Sequence, residues 1–117
     1  MLASAQYAET FAARRVLRGV CFVLHYRRNH LPSARLGLVI PKKQARTAVL
    51  RNAVKRQARE LFRQVRGQIP AVDLVLRLSQ PLNKPHQPGF ARKREIRAGW
   101  RAEMTSLFAQ LADPLRS

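Results

Sequence analysis

The sequence predicts a small α+β protein, a two-layer α/β sandwich in which one small mixed sheet packs against helices. Three observations carry that prediction. Leu50, Val54, Ala58, Leu61 and Val65 recur at steps of four, four, three and four, the period of a helix with one apolar stripe. Asp73 to Leu78 alternates instead, with Leu74, Leu76 and Leu78 on one face and Asp73, Val75 and Arg77 on the other, the period of a strand. Helical and strand-like stretches succeed one another in the order α-β-β-α-β-α over 117 residues, a length that fits one domain, 1–117.

Taken in order, Ser4 can cap a helix from Ala5 to about Arg15, on which Tyr7 and Phe11 share a face. After Gly19, Phe22-Val23-Leu24-His25-Tyr26 reads as a strand, and Arg27 to Ser33, with Asn29 and Pro32, as a loop. Arg35 to Ile40 is the next strand, stopped by Pro41. Lys42, Lys43 and Arg46 form a basic connection into the helix that ends at Val65. Gly67 reads as its C-terminal cap, and Pro70 prevents continuation. The strand at Asp73 to Leu78 leads into a Pro-rich loop, Ser79 to Gly89. Ile96, Trp100, Met104, Leu107 and Leu111 then recur at helical spacing from about Lys93 to Leu111.

Charge dominates the composition: 23 Lys plus Arg against 6 Asp plus Glu give a net charge of +17. That much like charge repels itself in a compact chain, so a polyanion is the natural partner. Arg outnumbers Lys, and its planar fork suits phosphate contacts and stacking on bases. A hydrophobic content of 46% argues against a disordered basic tail. No apolar run is long enough to span a membrane, Met1 to Ala13 does not read as a signal peptide, and the lone Cys21 fits a reducing, cytoplasmic setting.

The positive charge is concentrated on the central helix. Projected at about 100° per residue, Arg51, Asn52, Lys55, Arg56, Arg59, Arg63 and Arg66 gather on one sector beside the apolar stripe. Ala53, Gln57, Glu60 and Gln64 fall on the remaining arc. Solvated helix faces usually mix the two signs, and here Glu60 alone interrupts the run, so this sector reads as a binding surface. The acids are scattered over separate elements, unlike the clustered carboxylates of a metal-dependent nuclease; Asp73 reads as a capping or turn carboxylate. His25, His30, His86 and Cys21 make no metal-ligand pattern. The chain looks able to hold a phosphodiester and unable to cut one. Tyr7, Phe11, Phe22 and Tyr26 concentrate near the amino terminus, where an open face of the sheet could stack unpaired bases. Strand alternation splits them into Phe22, Leu24 and Tyr26 on one side and Val23 and His25 on the other, and leaves open which is the ligand face.

The run Arg35-Leu36-Gly37-Leu38-Val39-Ile40-Pro41-Lys42-Lys43, then Ala48-Val49, then Arg51-Asn52-Ala53-Val54-Lys55-Arg56-Gln57-Ala58-Arg59-Glu60 resembles the protein component of bacterial ribonuclease P. The likeness covers about Tyr7 to Leu111 in element order, with Pro70 to Val75 similar to the family's following strand. It departs at Ala53, where the family usually has Arg; the projection puts Ala53 beside Gln57, away from the basic sector. Only Met1 to Ala3 precede Ser4, where the family usually carries a basic arm, so either the start is misplaced or the arm is absent.

The resemblance implies an accessory subunit of an endoribonuclease whose RNA supplies the catalytic groups and holds the magnesium ions. In that setting the partners are ribonuclease P RNA and precursor tRNA, with no membrane and no obligate protein partner. Matching positions for the catalytic-RNA face are Lys42, Lys43, Arg51, Asn52, Lys55, Arg56, Arg59 and Arg63, and for the 5′ leader Tyr7, Phe11 and His25. The implied fold joins its parallel strands by a left-handed crossover, which the residues themselves do not specify. The main rival is a general RNA- or ribosome-binding protein without a catalytic role; a DNA-compacting protein and a self-contained nuclease stand behind it.

Overall fold

A computed structural model describes residues 4–29, 31–80 and 93–111, with side chains in the last segment from Gly99 onward. The elements are α1 (Ser4–Ala12), β1 (Arg15–Arg18), β2 (Phe22–Arg28), β3 (Arg35–Val39), α2 (Ala48–Val65), β4 (Val72–Leu78) and α3 (Lys93–Leu111), with a single 3-10 turn at Arg66–Gln68. The four strands form one mixed sheet in the order β1-β2-β4-β3. β2 pairs antiparallel with both β1 and β4, whereas β3 and β4 run parallel. A parallel pair cannot be closed by a hairpin, and α2 supplies the crossover.

The register sorts the side chains. Leu24 faces Leu17 and Leu76, and Leu36 faces Leu74, so the apolar positions of all four strands share one side. There they meet Val54, Ala58 and Leu61 of α2 and Trp100, Met104, Leu107, Phe108 and Leu111 of α3 in one core. Phe22, Leu24 and Tyr26 belong to this side, which leaves Val23 and His25 on the other. That second side is covered in part by α1, so helices lie on both faces of the sheet.

Four boundaries and one strand differ from expectation. α1 stops at Ala12 because Arg14 adopts a left-handed conformation, φ 56°, which turns the chain into β1. β1 itself was not foreseen: four residues bounded by arginines carry too little alternation to read as a strand, yet such short charged strands suit a sheet edge. β2 runs on through Arg27 and Arg28, assigned above to a loop, because β4 pairs with it along its whole length. α2 begins at Ala48, capped by the Thr47 side chain, which accepts the Leu50 N–H at 3.1 Å. Its far end is not a glycine cap: Arg66 stays right-handed, no described glycine has positive φ, and the 3-10 turn carries Ile69 into the core. The Pro-rich loop lies outside the described residues except for Ser79 and Gln80.

Candidate nucleic-acid interface

On the α1 side of the sheet, the pleat that buries Leu24 and Leu76 brings His25, Gly37 and Val75 into one row across β2, β3 and β4. Tyr7 reaches from α1 to β3, where its hydroxyl accepts the Leu38 N–H at 3.1 Å. Gly37 permits this approach, since a Cβ there would sit 2.6 Å from Tyr7 Cζ. One turn further on, Phe11 meets the His25 ring edge-on with centroids 4.7 Å apart. Arg77 Nε donates to His25 Nε2 at 3.3 Å. Burial first, then the charges of Arg77 and Arg18, hold the His25 imidazole below its ordinary pKa, so the ring is neutral at pH 7 and accepts through Nε2.

The three leader candidates are therefore brought together but do unequal jobs. Tyr7 is half-buried and anchors α1, whereas Phe11 is 37% exposed beside His25. Arg77 and the exposed Arg18 flank that pair. An aromatic edge, a neutral ring and two guanidiniums make a strip that can stack bases and neutralise their phosphates.

An ion network holds α1 over the strip. Asp73, on β4, is fully buried; it accepts from Arg35 Nε at 2.8 Å, Arg35 Nη2 at 2.9 Å, Asn29 Nδ2 at 3.0 Å and Arg27 Nη2 at 3.2 Å. Arg27 also reaches Glu9 of α1 at 2.7 Å. Burial alone would push the Asp73 carboxyl up, but the hydrogen bonds from Arg35 and Asn29 and the charges of Arg35 and Arg27 outweigh it and hold the pKa below the usual carboxylate range. Asp73 is thus a buried hub joining three strands, not the capping or turn carboxylate expected.

The second surface is the outer face of α2. Asn52, Arg56, Arg59, Glu60 and Arg63 line a shallow groove of about 340 Å³. Arg63 and Glu60 pair at 2.8 Å in solvent, a contact worth about 0.3–0.5 kcal/mol. Lys42 and Lys43 are exposed on the turn after β3. Arg51 instead folds back, its Nη1 donating to the carbonyls of Ala45 and Arg46 at 3.0 and 3.1 Å, and so shapes the basic loop. Lys55 is half-buried and lines neither groove on this helix. Ala53 lies with Gln57 in a second groove that also takes in Asn52 and Arg56, and α3 closes that side of the helix and places Arg101 there.

Sequence reasoning missed Arg18, Arg101 and the anchoring carboxylate Glu103. Alternation had put Arg77 with Asp73 and Val75, but relating it to His25 required the β2–β4 register. Glu103 accepts the Cys21 N–H at 2.9 and 3.1 Å and the Phe22 N–H at 2.6 Å, tying α3 to the β1–β2 turn. Every carboxylate whose side chain is described is thus engaged: Glu9, Glu60 and Asp73 with guanidiniums, Glu103 with backbone N–H groups. Among the described residues no three His, Cys, Asp or Glu side chains converge.

Fold and surfaces together define a small, strongly cationic α+β protein with an aromatic-lined strip on one side of its sheet and a basic helix on the other. The Ribonuclease P family matches residues 1–103. The ribonuclease P protein component of Azoarcus sp. (strain BH72) is 52% identical over 79 residues, covering 68% of this chain and 66% of that protein. The corresponding protein of Ralstonia pickettii (strain 12J) is 39% identical over 110 residues, covering 94% of this chain and 76% of the relative. The fold is that of the Staphylococcus aureus RNase P protein, with a TM-score of 0.76 at 20% identity over 97% of this chain and 96% of the other. The chain belongs to the ribonuclease P protein family.

Proposed function

We propose that the chain acts as the protein subunit of a ribonuclease P holoenzyme in tRNA 5′ maturation, binding the catalytic RNA through α2 and the Lys42–Lys43 loop and the precursor's 5′ leader along the Phe11–His25 strip. The observation that carries this reading is the placement of two cationic surfaces on opposite sides of one core. A protein so built can hold two RNA strands at once, as a bridge between ribozyme and substrate must. Magnesium belongs to the RNA in this reading, because the described carboxylates are already committed to guanidiniums and backbone amides. Among the described residues no helix is long and apolar enough to cross a membrane, and the lone Cys21 suits the cytoplasm.

The test is cleavage of precursor tRNA at low magnesium by the protein, by ribonuclease P RNA, and by both. Cleavage at the mature 5′ end only with both supports the proposal; a protein that gives the RNA no help returns the general RNA-binding rival to first place. Substitutions on each side separate the surfaces. Arg56→Ala or Arg59→Ala is expected to weaken binding to the catalytic RNA and to lower the slope of log K against log salt by about 0.7–0.9 per lost phosphate contact. Phe11→Ala is expected to weaken precursor tRNA by about 1–3 kcal/mol while leaving mature tRNA unchanged, since only the precursor carries a leader to stack. Equal loss for both tRNAs would assign Phe11 to holding α1 in place.

A further inference from the structure

The groove between α2 and α3 differs in character from the rest of the cationic surface. It encloses about 500 Å³ and is lined by Val49, Asn52, Ala53, Arg56, Gln57 and Glu60 of α2 and by Arg101 of α3. That volume is in the range of small-ligand sites. Its apolar part is open to solvent: Val49 is 75% exposed on a helix face otherwise rich in charge. Ala53, the smallest side chain among the described residues lining the groove, leaves room between the helices. Arg56 and Arg101, both exposed, bring guanidiniums from two different helices to the same opening. Asn52 adds an amide carrying both donor and acceptor.

We infer that this groove takes one unstacked nucleotide of the catalytic RNA, its base against Val49 and Ala53 and its phosphate held by Arg101 together with Arg56. The composition favours a nucleotide over a bare phosphate. An anion site needs only the two cations, whereas an exposed valine and a small-residue floor match the face of a base, and an amide at the edge matches its hydrogen-bonding rim. Arg101 is then an RNA-contacting residue on a helix from which the sequence singled out only an apolar stripe. The inference rests on α2 being the RNA-facing element, and the experiment is arranged so that the two can fail separately.

Labelled ribonuclease P RNA is titrated with the full-length protein over a series of salt concentrations, and a perfectly paired RNA duplex serves as the second probe. The variants are Arg101→Gln, Arg101→Lys, Ala53→Leu and Arg56→Ala, each first checked for an unchanged melting temperature. Val49→Trp, at an exposed position, replaces Ala53→Leu if the latter melts early. Arg101→Gln is expected to weaken binding to ribonuclease P RNA about five- to tenfold and to lower the salt slope by about 0.7–0.9, with Arg101→Lys recovering the slope. Ala53→Leu, which fills the groove and removes no charge, is expected to weaken the same RNA with the slope unchanged and to leave duplex binding unaltered. A neutral Ala53→Leu beside a harmful Arg101→Gln overturns the nucleotide pocket and leaves Arg101 as a simple phosphate contact. Neutral results at both positions with a harmful Arg56→Ala overturn the inference alone, and a neutral Arg56→Ala as well overturns the reading of α2.

Discussion

Asp73→Ala is expected to destabilise the protein by about 3–5 kcal/mol, the loss typical of breaking a buried ion pair from one side. Asp73 has no exposed surface, and its two oxygens take four hydrogen bonds from Arg35, Asn29 and Arg27. Removing it leaves two guanidiniums crowded together with only the exposed Glu9 as a counter-charge. Both arginine side chains are 24% exposed, so water relieves part of that cost and the lower half of the range is the better expectation. The same network predicts the acid limb of the stability curve. The folded-state pKa of Asp73 lies below its unfolded value of about 3.9, so its contribution is complete above that value and is lost as pH falls through the lower folded pKa. His25 acts at higher pH: its folded pKa is depressed, so the unfolded chain takes up the proton first, and stability begins to fall as pH drops below about 6.5. Urea unfolding of wild type, Asp73→Ala and His25→Gln between pH 3 and pH 8 separates the two groups. A wild-type curve flat down to pH 3, or an Asp73→Ala loss below about 1 kcal/mol, contradicts the buried hub.

The network also shows what was legible in the sequence and why the rest was not. The basic face of α2 could be read because Arg56, Arg59 and Arg63 are related by local helical spacing, and the core of β4 because Leu74, Leu76 and Leu78 are related by local alternation. Each rule needs one element and no neighbour. The role of Asp73 needs three strands in register, with Arg27 and Arg35 both opposite it, and nothing local distinguishes that from a turn carboxylate. The groove beside Ala53 was hidden for the same reason: the projection described α2 as an isolated cylinder, whereas α3 closes one side and turns the arc holding Ala53 and Glu60 into a groove wall. Tyr7, Phe11 and His25 were named through family likeness; their division into an anchor and a partly exposed pair came from Gly37, Leu38 and Arg77, which lie on β3 and β4.

Glu103→Ala is the second substitution with a large expected effect, about 2–4 kcal/mol, because it removes the carboxylate that accepts from the N–H groups of Cys21 and Phe22, at about 1–3 kcal/mol each. Phe22 is fully buried and has no easy route to water, whereas Cys21 is half-buried, which keeps the total short of the maximum. Glu103→Gln keeps one carbonyl oxygen at nearly the same place and is expected to recover about half of the loss. The readout that identifies the contact is hydrogen exchange: the Cys21 and Phe22 amides should lose protection together in Glu103→Ala, ahead of amides in the centre of β4. Gly19 provides an independent check, since a Cβ there would lie 2.5 Å from Glu103 Oε2 and must displace the carboxylate. Gly19→Ala should therefore reproduce part of the Glu103→Ala loss, and the double substitution should cost clearly less than the sum of the two, as for residues sharing one interaction. Additive losses would mean that the carboxylate does not hold the turn. The consequence reaches function through Arg18, which ends β1 immediately before this turn and lends its charge to the His25 strip. On the proposed function, a loosened hairpin should thus weaken precursor tRNA while binding of the catalytic RNA through α2 persists.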